Sequence, residues 1–111
     1  MTKPVLLVDF TRVFLDSRPA ITARNSKEAV KQLNKLEGKI DIMWVDYDLG
    51  PADDIKPLMD YLSLRAKIGS KYPLSCIVVH GPREAGFQLL NAKLGALGYR
   101  VIRGAIRENL G

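Results

Sequence analysis

Apolar and polar positions alternate along this chain in two rhythms, and the rhythm switches repeatedly. Pro4 to Asp9 (PVLLVD), Ile40 to Asp46 (IDIMWVD) and Leu74 to His80 (LSCIVVH) are apolar at both odd and even positions. In the second of these, Ile40, Ile42 and Trp44 fall on one side and Met43 and Val45 on the other. A strand with two apolar sides belongs in a sheet buried on both faces. Ala20 to Arg24 and Tyr99 to Arg103 (YRVIR) are shorter extended pieces, which makes five predicted strands.

Between the strands the period lengthens to that of a helix. NSKEAVKQLNKLEG opens with a capping signal, either Asn25 with Glu28 three residues on or Ser26, and stops at Gly38. Its apolar residues Ala29, Val30, Leu33 and Leu36 share one face. A second helix is predicted from Asp54, a good N-cap, to Ile68 before Gly69, with Pro57 in its first turn. A third follows Pro82, from about Arg83 to Leu97, and ends at Gly98.

Strands alternating with helices predict an α/β fold around a parallel sheet. With right-handed crossovers and strand order 2-1-3-4-5, all three helices fall on the same face. The link from Phe10 to Pro19 is too short for a helical crossover, and the tail GAIRENLG is too short for a full helix. The first and last helices of such a fold are therefore expected to be missing or reduced. Val13, Phe14 and Leu15 from the link and Ile106 and Leu110 from the tail are expected to cover part of the bare face. A second copy of the chain or another protein partner would cover the rest.

The 111 residues make one domain with room for a real core. At 47% hydrophobic and 26% charged, the balance is that of a folded protein rather than a disordered one. The lone Cys76 lies in an apolar run, which excludes a disulfide framework and suits a reducing compartment. No segment has the length of a membrane span, so the expectation is a cytoplasmic protein with no membrane partner. The net charge of +5 is scattered. Lys27, Lys31 and Lys35 read as a solvated helix face and Arg100, Arg103 and Arg107 as a loose cluster, with no aromatic residues interleaved for base stacking.

The chemistry gathers where the strands stop. In an open parallel sheet, ligands bind beyond the carboxyl ends of the strands where the strand order reverses. Reading those ends gives Asp9, then Asp46 and Asp48 in VDYDLGPADD, then His80. Asp53 and Asp54 read as loop and cap residues, and Trp44 and Tyr47 as packing. Clustered carboxylates suit a hard cation, Mg²⁺ above all, with Asp9, Asp46 and Asp48 as its ligands. His80, Asp46 and Asp48 are the candidate catalytic groups, with the imidazole passing protons near neutral pH. Arg12, Arg18 and Arg83 are candidates for gripping a phosphate, and the backbone N–H groups of GPREAG add an anion site at the third helix. Acid, base and phosphate grip together point to phosphoryl chemistry or phosphate recognition. There is no serine–histidine–aspartate elbow, no cysteine nucleophile, no zinc ligand set and no Gly-rich nucleotide loop.

DIMWVDYDLGPADD resembles the phosphoacceptor segment of two-component receiver domains, which have a flavodoxin-like fold. Asp46 stands in the acceptor's place and Asp9 in that of the acidic residue after strand one. His80 replaces the receiver's hydroxyl residue, and Arg103 stands near the place of its lysine. A phospho-receiver role is disfavoured by those two changes. The chain is more similar to the cyclic-phosphate processing receiver-like domains of bacteria and their phages. The matches are DFTR (Asp9, Arg12), DYDLG (Asp46, Asp48, Leu49, Gly50) and HGPREAG (His80, Gly86), and LDSRP (Asp16, Arg18, Pro19) fits the first motif as well. Phe10 replaces an acid of that pattern, Tyr47 a histidine, and Gly81 and Arg83 polar residues. The resemblance implies a receiver-like domain that binds, and by extension hydrolyses, a cyclic or terminal phosphate of a nucleotide or RNA end. The alternative is a non-catalytic interaction module of phage type, acting through its bare sheet face or as a homodimer.

Overall fold

The computed structural model describes residues 3–10, 14, 18–49, 54–81 and 84–104. Along the chain they form β1 (Val5–Val8), β2 (Ala20–Ala23), α1 (Ser26–Leu36), β3 (Ile42–Asp46), α2 (Lys56–Lys67), β4 (Cys76–His80), α3 (Glu84–Ala96) and β5 (Val101–Arg103). Every predicted element is present, the strands trimmed by a residue or two at their ends. All neighbouring strands run parallel in the order β2-β1-β3-β4-β5, the expected flavodoxin-like sheet.

Local chemistry sets the helix limits. Asn25 caps α1, its side chain accepting the Glu28 N–H at 2.8 Å, while the Glu28 carboxylate reaches back to the Arg24 N–H at 2.9 Å. At α2 the residue in the capping position is Ile55, not Asp54 as expected. Asp54 still does the chemical work from one residue earlier, accepting the Lys56 N–H at 2.9 Å. With Pro57 in the first turn, one fewer N–H there needs a partner.

Side-chain parity then sorts the strand residues between two faces, because successive positions point to opposite sides. Leu6, Val8, Ala23, Met43, Val45, Ile77 and Val79 share one buried cluster with Ala29 and Leu33 of α1, Leu58 and Leu62 of α2, and Leu90 and Leu94 of α3. All three helices therefore lie on one face. The opposite parity holds Leu7, Trp44, Val78 and Ile102, and no described helix covers it. Phe14, one of the residues expected there, sets its ring edge-on against Trp44 at 5.1 Å between centroids. Gly104 also meets this face, since a Cβ there would collide with Val78 Cγ1 and stand 2.9 Å from Trp44. Val13, Leu15, Ile106 and Leu110 lie outside the described residues. Leu7 and Val78 are buried, whereas Ile102 at the edge is exposed.

At the edge of the sheet away from the strand ends, two tyrosines tie the layers together. Tyr72 donates to the Leu33 carbonyl and Tyr99 to the Tyr72 carbonyl, each at 2.7 Å. Burial pushes both phenols up to about 12, because the phenolate cannot be solvated there. A raised folded-state pKa stabilises fully below the unfolded value near 10, and that stabilisation is lost as the pH rises toward 12. Phenolate absorbance should therefore show two tyrosines resisting ionisation until the fold gives way. All four ionising together near pH 10 with circular dichroism unchanged would contradict this packing.

Candidate functional site

β1, β3 and β4 are the three central strands, and their register decides what meets at their ends. Val8 pairs with Val45, so the next residues, Asp9 and Asp46, finish side by side. Asp46 pairs directly with His80. Asp9 remains in the ladder through its N–H, which donates to the Ala23 carbonyl at 3.0 Å. All three side chains have the parity of Leu7, Trp44 and Val78, so they stand on the face without described helices. Three stretches remote in sequence thus deliver two carboxylates and an imidazole to one spot.

The set is compact and dry. One ligand-type atom from each of Asp9, Asp46 and His80 lies within 4.8 Å of the others. Asp9 and His80 are each 2% exposed and Asp46 7%. His80 Nδ1 is 3.3 Å from Asp9 Oδ2. Arg24 donates to the Asp9 carbonyl at 3.3 Å, which anchors the backbone at that strand end. Trp44 leans on the imidazole, with ring centroids 5.8 Å apart.

Asp48 goes elsewhere. β3 ends at Asp46, and the chain turns so that the Asp48 N–H donates to Asp46 Oδ1 at 2.9 Å. This Asx-type turn orients the Asp46 carboxylate while leaving the Asp48 side chain exposed, outside the compact set. Gly81 makes room on the other side. Its φ is +119°, and a Cβ there would sit 2.6 Å from Asp46 Oδ1. The glycine in place of the expected polar residue is thus what lets the Asp46 carboxylate lie against the β4 end.

Asp46, Tyr47, Asp48, His80, Phe87 and Arg103 line a cavity of about 20 Å³ at this edge, with Gly81 and Val79 closing it. That is room for about one water or one ion. Arg103 comes from the end of β5, its guanidinium 5.4 Å over the Phe87 ring and paired with the Glu84 carboxylate at the start of α3. Among the described residues it is the cation of the cavity wall, and it is not one of the expected phosphate-binding arginines. The strand-end rule that gave Asp9, Asp46 and His80 yields Arg103 as well when carried on to β5.

Among the expected arginines, Arg18 is exposed and stacks its guanidinium on Phe14 at 4.2 Å, with Trp44 beyond at 5.4 Å. Arg12 and Arg83 lie outside the described residues, as do Pro82 and Asp53. Tyr47 packs as expected, its Cβ and ring so close to Gly86 that a Cβ on Gly86 would stand 2.8 Å away. No helix among the described residues is long and apolar enough to cross a membrane. No protein-family model, no curated protein and no solved structure matches the chain.

Proposed function

We propose that the chain binds a phosphate-bearing ligand, a cyclic or terminal phosphate of a nucleotide or of an RNA end, in the cleft beyond β1, β3 and β4, and hydrolyses it with a divalent cation. The observation that carries this reading is the meeting of Asp9, Asp46 and His80 within 4.8 Å at the edge where such sheets bind ligands. Two carboxylates fit a divalent ion such as Mg²⁺, and when bound it would polarise a phosphoryl oxygen and supply an activated water. Asp9 and Asp46 would hold it from the floor of the cleft.

At the rim, Asp48 has the solvent access needed to take a proton from an attacking water, which the buried His80 lacks. Arg103 is placed to draw in the anion. It would exchange the Glu84 carboxylate for a phosphate oxygen, since a guanidinium binds both bidentately. Arg18, near the Trp44 ring that neighbours His80, is a second candidate cation.

The test is direct. Purified protein is offered 2′,3′-cyclic nucleotides and inorganic phosphate with Mg²⁺ or Mn²⁺, with binding followed by calorimetry and hydrolysis by product release. The expected result is binding weakened at least about tenfold in Asp46→Asn and in Arg103→Ala, or about 1.4 kcal/mol each, with hydrolysis abolished in the first. Wild-type protein that binds neither probe would overturn the reading.

One observation favours a second reading. The face without described helices leaves Ile102 exposed and Ile42 and Trp44 only partly buried, an apolar strip beside the site. A second copy of the chain seated there would make the protein an interaction module. Light scattering giving a strict monomer at all concentrations would remove this reading.

A further inference from the structure

We infer that the ion of this cleft is a borderline first-row divalent cation of the Zn²⁺ or Co²⁺ class rather than Mg²⁺, with His80 as its third ligand beside Asp9 and Asp46. The inference rests on the reading of the cleft as a metal-assisted phosphate site, and it changes the role of the histidine.

The donor set decides the class. Magnesium takes oxygen ligands, demands a near-ideal octahedron and keeps several waters. An imidazole among the ligands moves the preference toward zinc and its neighbours, which accept mixed nitrogen and carboxylate donors. The compact group here contains His80 and excludes Asp48, so one of its three donors is a nitrogen. Spacing agrees. Two ligands each about 2.1 Å from a tetrahedral ion stand about 3.4 Å apart. His80 Nδ1 and Asp9 Oδ2 are 3.3 Å apart, and an Asp46 oxygen lies within 4.8 Å of both residues' ligand atoms.

Burial points the same way. A histidine 2% exposed on the floor of a closed cleft is poorly placed to exchange protons with solvent, but buried donors are what a metal site requires. The adjoining space of about 20 Å³ suits a fourth ligand, a water or a phosphate oxygen. Three protein ligands with one open position is the arrangement of catalytic rather than structural zinc. The set escapes a search for local ligand motifs because its three members are separated by more than thirty residues each.

The test titrates metal-stripped protein with Zn²⁺, Co²⁺, Mn²⁺ and Mg²⁺ separately, without phosphate. Cys76→Ala protein is used throughout, because the lone thiol could otherwise bind zinc. The expected affinity order is Zn²⁺ above Co²⁺ above Mn²⁺ above Mg²⁺. One Co²⁺ should bind with visible absorption of a site of low symmetry. His80→Ala should weaken Co²⁺ and Zn²⁺ at least about tenfold while changing Mg²⁺ little, and Asp46→Asn should weaken all four ions. Circular dichroism of each variant establishes that it is folded. Mg²⁺ binding as tightly as Co²⁺, or Co²⁺ binding unchanged in folded His80→Ala, overturns the inference. If phosphate binds with no Co²⁺ or Zn²⁺ bound, the metal inference falls and phosphate recognition stands. If Co²⁺ binds but phosphate does not, the reverse holds.

Discussion

Gly81→Ala should destroy the site and weaken the fold in one step. A methyl group at residue 81 would lie 2.6 Å from Asp46 Oδ1, inside van der Waals contact, and the residue would be held at a φ of +119°. Conformations of that kind cost a non-glycine residue about 1–3 kcal/mol. The carboxylate has to move as well, and the oxygen that must shift is the one that accepts the Asp48 N–H. Urea unfolding should show a loss of that size, and phosphate and metal titrations should show affinity reduced at least about tenfold. Gly69→Ala is the control. Gly69 also has a positive φ, +79°, but nothing lies within 4 Å of its missing Cβ. It should lose about 1–2 kcal/mol from backbone strain alone and keep ligand affinity. Equal ligand affinity in Gly81→Ala and wild type would mean that Asp46 has no part in binding.

Leu7→Ala should cost as much as a substitution in the helix-covered core. Leu7 is 1% exposed and Leu6 is fully buried, yet they point to opposite faces of β1. Truncating a buried leucine typically destabilises by about 2–5 kcal/mol. For a domain whose whole stability is on the order of 5–15 kcal/mol, either change is a large fraction. Similar urea midpoints for Leu6→Ala and Leu7→Ala would establish that the face without described helices is a true second core. A loss below about 1 kcal/mol for Leu7→Ala alone would mean that this face is open to water. The comparison therefore bears on whether there is surface left for a second copy to occupy.

Much of this architecture was legible in the residues because each element carries a local signal. Runs such as LSCIVVH are apolar at both parities, Asn25 and Glu28 mark a helix start, and Gly38, Gly69 and Gly98 follow the three helices. The order 2-1-3-4-5 is that of a doubly wound parallel sheet, and that order places Asp9, Asp46 and His80 together. What local patterns could not carry was the direction of single side chains. Asp46 and Asp48 are two apart and would share a face if β3 continued, but the strand ends at Asp46 and the turn separates them. The close approach of Asp46 to Gly81 depends on a rotamer, which no spacing encodes. Arg103 stands apart from the phosphate-binding candidates because it ends β5, one strand beyond those that carry Asp9, Asp46 and His80. The cap of α2 slipped by one residue because an aspartate can satisfy the same N–H groups from either position.

Trp44 is the chain's sole indole, and it leans on His80 from the same face of the sheet. Its emission therefore originates beside the imidazole, with no second fluorophore of its kind to dilute the signal. A paramagnetic ion such as Co²⁺ arriving at the neighbouring carboxylates would quench it, whereas diamagnetic Zn²⁺ would alter only the local field. Occupancy of the cleft thus comes with its own unlabelled optical readout.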